Sequence, residues 1–142
     1  MLLYGWGVTL ASLRGLWRQG VVLGGIAAAV LVVAKVDPNE PGHYPGCPFL
    51  FLTGYYCPGC GATRLVHALA HGDVGTAFGL NPVVFLLLPV LGYLYVRWTV
   101  LAARGQPMQS LLLRPVAAYG LLGVLLVFWI VRNLPFGHVL AP

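Results

Sequence analysis

PVAAYGLLGVLLVFWIV, residues 115–131, lies between Arg114 and Arg132 and contains no charged side chain. With a rise of about 1.5 Å per residue, a helix through this run reaches the lower length limit, about 17 residues, for crossing a hydrocarbon core. A second run, 82–101, is built around Val83-Val84-Phe85-Leu86-Leu87-Leu88-Pro89-Val90-Leu91. The weakest run, 19–36, has its apolar core from Val21 to Ala34 and is bracketed by Arg18 and Lys35, whose long side chains can snorkel to the interface. The chain is 142 residues long and only 8% charged, against about 25% in soluble domains. Its mean hydropathy is +0.86, and a chain this small has too much surface to hide so many apolar residues in a core. The fold class that follows is an all-α membrane protein. It is one membrane domain over 1–142, with three transmembrane helices and a long cysteine-containing loop at about 37–81.

A cleaved signal peptide is the rival reading of the first run, because Arg14 and Arg18 precede an apolar stretch with small residues. That stretch ends in Val33-Ala34-Lys35, a poor cleavage site, so a retained anchor is expected. Basic residues near span ends set orientation. Arg14, Arg18, Arg97, Arg104 and Arg114 fall on one side of a three-span chain, and Lys35, Arg64 and Arg132 on the other. The bias puts the N-terminus in the cytoplasm and the cysteine loop and C-terminus outside. The net charge of +5 is flanking charge, without the basic, aromatic-interleaved patch that nucleic acid requires. Trp17, Tyr55, Tyr56, Trp98 and Trp129 sit where aromatic anchors prefer the headgroup level. Pro89 removes a hydrogen bond to Phe85 and is expected to bend span two.

Every acid and every cysteine, and all the histidines but His138 in the tail, lie in the loop. Its opening, Asp37 to Gly46, is rich in turn formers. Cys47-Pro48-Phe49-Leu50-Phe51-Leu52 is expected to make a re-entrant or interfacial dip ended by Thr53-Gly54. A short helix is expected from Ala62 to about His71, with Leu65, Ala68 and Leu69 on one face and Gly72 as its stop. Asp73 then caps a second short helix from Val74 to Phe78, and Asn81-Pro82 starts span two with Asn as N-cap and Pro in the first turn.

Three chemistries compete at Cys47, Cys57 and Cys60. Cys57-Pro58-Gly59-Cys60-Gly61 has the form of a metal knuckle, and zinc, or iron, needs four ligands. The cysteines supply three; His43, His67 or His71 supplies the fourth, with His67 placed first. The same pair has the spacing of a thiol-disulfide site, opening a helix beside Arg64, but without the βαβ pattern of the thioredoxin class. A structural disulfide from Cys47 to Cys57 or Cys60 is the third option, favoured outside the cell. It leads to a non-enzymatic protein whose loop is a structural or partner-docking element, the partner being the lipid bilayer or another membrane protein. Arg64 is expected to snorkel, bind lipid phosphate or pair with Asp73. Arg132 and Asn133 either cap span three or return to the loop and bond its backbone carbonyls. No carboxylate pair, Ser-His-Asp set or phosphate loop points to hydrolase or nucleotide chemistry, and no acid lies in a span to serve a proton path.

Cys47-Pro48-Phe49, Leu52-Thr53-Gly54, Cys57-Pro58-Gly59-Cys60-Gly61-Ala62-Thr63-Arg64, Gly72-Asp73, Ala77 and Asn81-Pro82 follow in that order. This series resembles a family of small bacterial membrane proteins of unknown function marked by a CPGCGxTR segment before a transmembrane helix. The resemblance covers about 47–96, with Arg132-Asn133 as a weaker echo. It implies a bacterial, multi-pass protein and motif roles for Pro58, Gly59, Gly61, Thr63, Arg64, Asn81, Arg132 and Asn133, and it implies no activity. The histidines are not part of that pattern.

The charge bias makes a direct prediction. A membrane-impermeant maleimide should label the loop cysteines of intact cells after mild reduction; labelling that appears only after permeabilisation would reverse the orientation.

Overall fold

The computed structural model describes residues 16–108 and 114–140, except the side chains of 138 and 139. Among these, every regular element is a helix. Helix α1 (Trp17–Lys35), α5 (Pro82–Ala103) and α6 (Pro115–Arg132) are long and apolar enough to cross a membrane. Their bounds fall within two residues of those the hydropathy of the chain predicts. Between α1 and α5 lie α2 (Pro48–Thr53), α3 (Ala62–Ala70) and α4 (Val74–Leu80), and a 3₁₀ turn over Pro135–Leu140 follows α6.

Local chemistry sets these boundaries. The Asp73 side chain accepts from the Thr76 N–H at 3.0 Å, and the Asn81 side chain accepts from the Val84 N–H at 3.0 Å, so both act as N-caps. Pro48, Pro82 and Pro115 each open a helix, where the missing N–H costs nothing. Gly54, at φ 74°, ends α2 in the left-handed conformation that only glycine adopts freely. Helix α5 runs on through Pro89.

The spans themselves bury almost none of their residues, which fits surfaces facing lipid. The core lies at one end of them instead. Leu65 and Ala68 of α3 pack on Ala77 of α4, and Leu69, Leu80, Val84, Phe85 and Leu88 close around them. The amphipathic face read from the sequence is therefore the core face. Phe78 meets Phe85 edge-on at 5.5 Å. His67 Nδ1 donates to the Val33 carbonyl at 2.7 Å, fastening α3 to α1. The Tyr95 hydroxyl donates to the Gln19 carbonyl at 2.9 Å, fastening α5 to α1. The 3₁₀ turn lies so close to the end of α6 that a Cβ at Gly137 would run into the Val131 carbonyl. The cap of short helices thus joins the spans at one end, and the Tyr95–Gln19 bond joins α5 to α1 directly.

The cap and the dip separate in a substitution test. Leu65 is fully buried and Phe51 of α2 is 89% exposed. Leu65→Ala should destabilise the detergent-solubilised protein by about 2–5 kcal/mol, the range for emptied core leucines. Phe51→Ala should change thermal stability by less than about 0.5 kcal/mol. Thermal denaturation of both variants checks the pair.

Candidate metal centre

Two short elements bring the cysteines together. Cys47 is the N-cap of α2. Residues 57–60 form a tight turn, closed by the Cys60 N–H donating to the Cys57 carbonyl at 3.1 Å. Gly61 follows at φ 87°, a left-handed residue that lets the chain leave the turn directly into α3. Pro58 and Gly59 occupy the centre of the turn, and a side chain at Gly59 would reach the Cys57 sulfur. The Cys57 N–H donates to Cys60 Sγ at 3.2 Å.

The three thiols are free and unbonded. Cys57 Sγ lies 3.1 Å from Cys60 Sγ and 3.6 Å from Cys47 Sγ, and no two of the sulfurs are more than 4.8 Å apart. Burial pushes the Cys60 thiol up to about 12, with hydrogen bonding to Cys57 adding to the effect. Cys47 is shifted the other way, because the Leu50 backbone N–H at the start of α2 favours its thiolate.

Three side chains from distant parts of the chain hold this turn by its carbonyl groups. Asn81 Nδ2 donates to the carbonyls of Pro58 at 2.9 Å and Cys60 at 3.1 Å. Arg132 Nη1 donates to the carbonyls of Cys57 and Cys60, both at 3.2 Å, and its Nη2 to Leu140 at 2.8 Å. Asn133 pairs with the Tyr56 backbone in both directions: its Oδ1 accepts from the N–H at 2.8 Å and its Nδ2 donates to the carbonyl at 2.9 Å. Both roles weighed for this pair are present: Arg132 and Asn133 return to the loop, and Asn133 is also the C-cap of α6, its Nδ2 donating to the Trp129 carbonyl at 2.8 Å. The guanidinium is 1% exposed and lies over the rings of Phe128 at 4.9 Å and Tyr56 at 5.8 Å.

The histidines lie elsewhere. His67, the expected fourth ligand, has its Nδ1 on Val33 and its Nε2 3.8 Å from Asp37 Oδ1, and its ring stacks on His71 at 4.3 Å. His43 faces Glu40 at 3.3 Å, and His71 bonds the His67 carbonyl at 2.9 Å. Among the described residues, the sulfur group contains the cysteines alone. The spacing of His67 and His71 put them on one helix face, and that face turns toward the end of α1. Thr63 and Arg64 are exposed on α3, and Asp73 is occupied with its own helix rather than with Arg64. The His138 side chain lies outside the described residues.

Sequence reasoning treated Asn81 as an N-cap alone. Its second role was readable from its chemistry: an Asp or Ser caps equally well, but only an amide offers two donors as well as an acceptor. Tyr56 as the backbone hub for Asn133, and Phe128 as the floor under Arg132, carry no local signal.

A family described as "Protein of unknown function (DUF2752)" matches residues 47–95, a stretch that holds all three cysteines, α2, α3, α4 and most of α5. Neither the curated proteins nor the solved structures contain a significant match to the chain.

Asn81 is fully buried, and Asn81→Asp isolates its second role. The carboxylate keeps the cap on α5 but has no donor for the Pro58 and Cys60 carbonyls. The variant should lose about 1–3 kcal/mol, the cost of stranding buried polar groups. It should also be cut in the loop by protease under conditions where the wild type resists; unchanged resistance would show that the amide donors are dispensable.

Proposed function

We propose that this membrane protein holds one soft divalent metal ion, zinc first and iron second, between Cys47, Cys57 and Cys60. One observation carries the reading. With sulfurs 3.1 and 3.6 Å apart and no pair beyond 4.8 Å, a point exists within about 2.4 Å of all three, close to the zinc–sulfur bond length of about 2.3 Å. A single ion fits there with little movement of any side chain.

The competing chemistries fit less well. Thiol exchange needs an accessible, low-pKa sulfur with a reactive partner; Cys47 is half-buried and shifted down, but Cys60 of the Cys-x-x-Cys pair is buried and its thiol is pushed up to about 12. A metal instead displaces the thiol protons itself. A disulfide would use two of three converging sulfurs and leave the third without a role. Among the described residues no histidine, aspartate or glutamate joins the three sulfurs, which leaves the remaining coordination position to water or to a group from outside. The protein is then a binding protein rather than an enzyme. The charge bias favours an outward-facing loop in a bacterial cytoplasmic membrane, and the exposed Phe51, Leu52 and Tyr55 favour a loop seated at the lipid surface or against another membrane protein.

Protein purified in detergent without chelator should carry about one zinc or iron per chain by elemental analysis. Cys47→Ser, Cys57→Ser and Cys60→Ser should each remove most of it, and bound metal should shield the cysteines from alkylation. Because protons compete for thiolates, the metal should leave as the pH falls and not as it rises. Metal-free wild type with a mass two daltons (about 2 Da) below the all-thiol value would instead establish a disulfide.

A further inference from the structure

Among the described residues, Arg132 is a buried cation that no carboxylate balances. The chain has three acids, and each is engaged away from it. Asp37 faces Asn39 and His67, Glu40 faces His43, and Asp73 caps α4. Guanidinium groups are rarely buried without a counter-charge, because an unpaired charge loses its hydration for nothing. The hydrogen bonds of Arg132 all go to neutral carbonyls, and its Nε has no partner. The ionisable residues it lies against are Cys57 and Cys60, through their carbonyls, and Tyr56, whose ring is 5.8 Å away. If carbonyl bonding were its whole task, a neutral amide would serve, as Asn81 and Asn133 do on the same loop.

We infer that Arg132 is the resident counter-charge of the cysteine site, matching it to a divalent ion bound by all three cysteines as thiolates. This rests on the metal-binding reading above. Three thiolates and one divalent ion leave a single negative charge, and three protons go to solvent. One guanidinium held against the carbonyls of Cys57 and Cys60 neutralises that charge where bulk water is excluded and charge interactions are screened least. A monovalent ion on the same three thiolates would leave two negative charges, one more than Arg132 covers. Arg132 is a positioning residue in this scheme, since its bonds go to backbone carbonyls and its face to aromatic rings rather than to the sulfurs.

Two probes of the same sulfurs separate charge from clamping. Zinc forms an anionic three-thiolate complex. Arsenite, As(OH)₃, condenses with three thiols and releases three waters, giving a neutral complex that has no use for a counter-charge. Affinities for both are measured on the full-length detergent-solubilised protein. Arg132→Gln should weaken zinc about ten- to a hundredfold, the scale of one unit-charge interaction under protein-like screening, and leave arsenite within about threefold. Arg132→Lys keeps the charge and should retain the wild-type ratio of zinc to arsenite affinity, even if both fall. Equal loss of the two probes in Arg132→Gln would overturn the inference and leave a carbonyl clamp; unchanged zinc affinity would overturn it as well. Should Arg132→Gln fail to accumulate, a changed zinc-to-arsenite ratio in Arg132→Lys overturns it and a preserved ratio supports it. Wild type that captures arsenite but not zinc would sink the metal reading itself, before any change at Arg132.

Discussion

The backbone carbonyls of residues 56–60 are the constraint on which the rest of the structure depends. A chain that turns sharply enough to aim Cys57 and Cys60 at one point cannot satisfy those oxygens by helix or sheet bonds, and buried unpaired carbonyls cost free energy. Asn81, Arg132 and Asn133 supply the missing donors. These three residues stand at the ends of membrane-length helices, so the turn and the spans position each other. Asn81 links the turn to the start of α5, and Arg132 and Asn133 link it to the end of α6.

That linkage explains how a chain with so little interior is held together. In a bilayer, helices gain no hydrophobic driving force from packing on one another, and here the spans bury almost nothing. Apart from the Tyr95–Gln19 bond between α5 and α1, the long-range polar bonds described above sit at the cap, where carbonyls left to themselves would face apolar neighbours. An arginine at a span end ordinarily reaches outward to water. Arg132 folds inward, onto Phe128 and beneath the loop. The close seat of Gly137 on α6 lets the 3₁₀ turn bring the Leu140 carbonyl back to the same guanidinium.

Local features of this arrangement were legible in the sequence, and long-range ones only in part. Span positions follow from apolar length, and Asp73 and Asn81 follow from N-cap chemistry, because both depend on near neighbours in the chain. Placement of the chemistry in the loop was equally readable, since the acids, the cysteines and all but one histidine fall there. The convergence of Cys47 on the Cys57 turn depends on how α2 folds back, which no periodicity encodes. His67 lies away from the sulfurs for a related reason. Helical spacing says which residues share a face, and it does not say that this face meets Val33 and Asp37 rather than the sulfurs.

A cation beside three thiols asks why the protein uses sulfur where a carboxylate would make a permanent ion pair. A cysteine site gives Arg132 no permanent ion-pair partner, and without an ion the guanidinium is held by three carbonyl oxygens and the faces of Phe128 and Tyr56. These partners carry partial negative charge and suffice to keep the loop folded. On the metal reading, loading converts the thiols to an anionic complex and completes the electrostatics of a site already in shape. Binding then stabilises the cap by linkage, and through Asn81, Arg132 and Asn133 that stabilisation reaches the ends of α5 and α6. A carboxylate in place of a thiol would already balance Arg132 before the ion arrives, so loading would change the electrostatics of the cap by less.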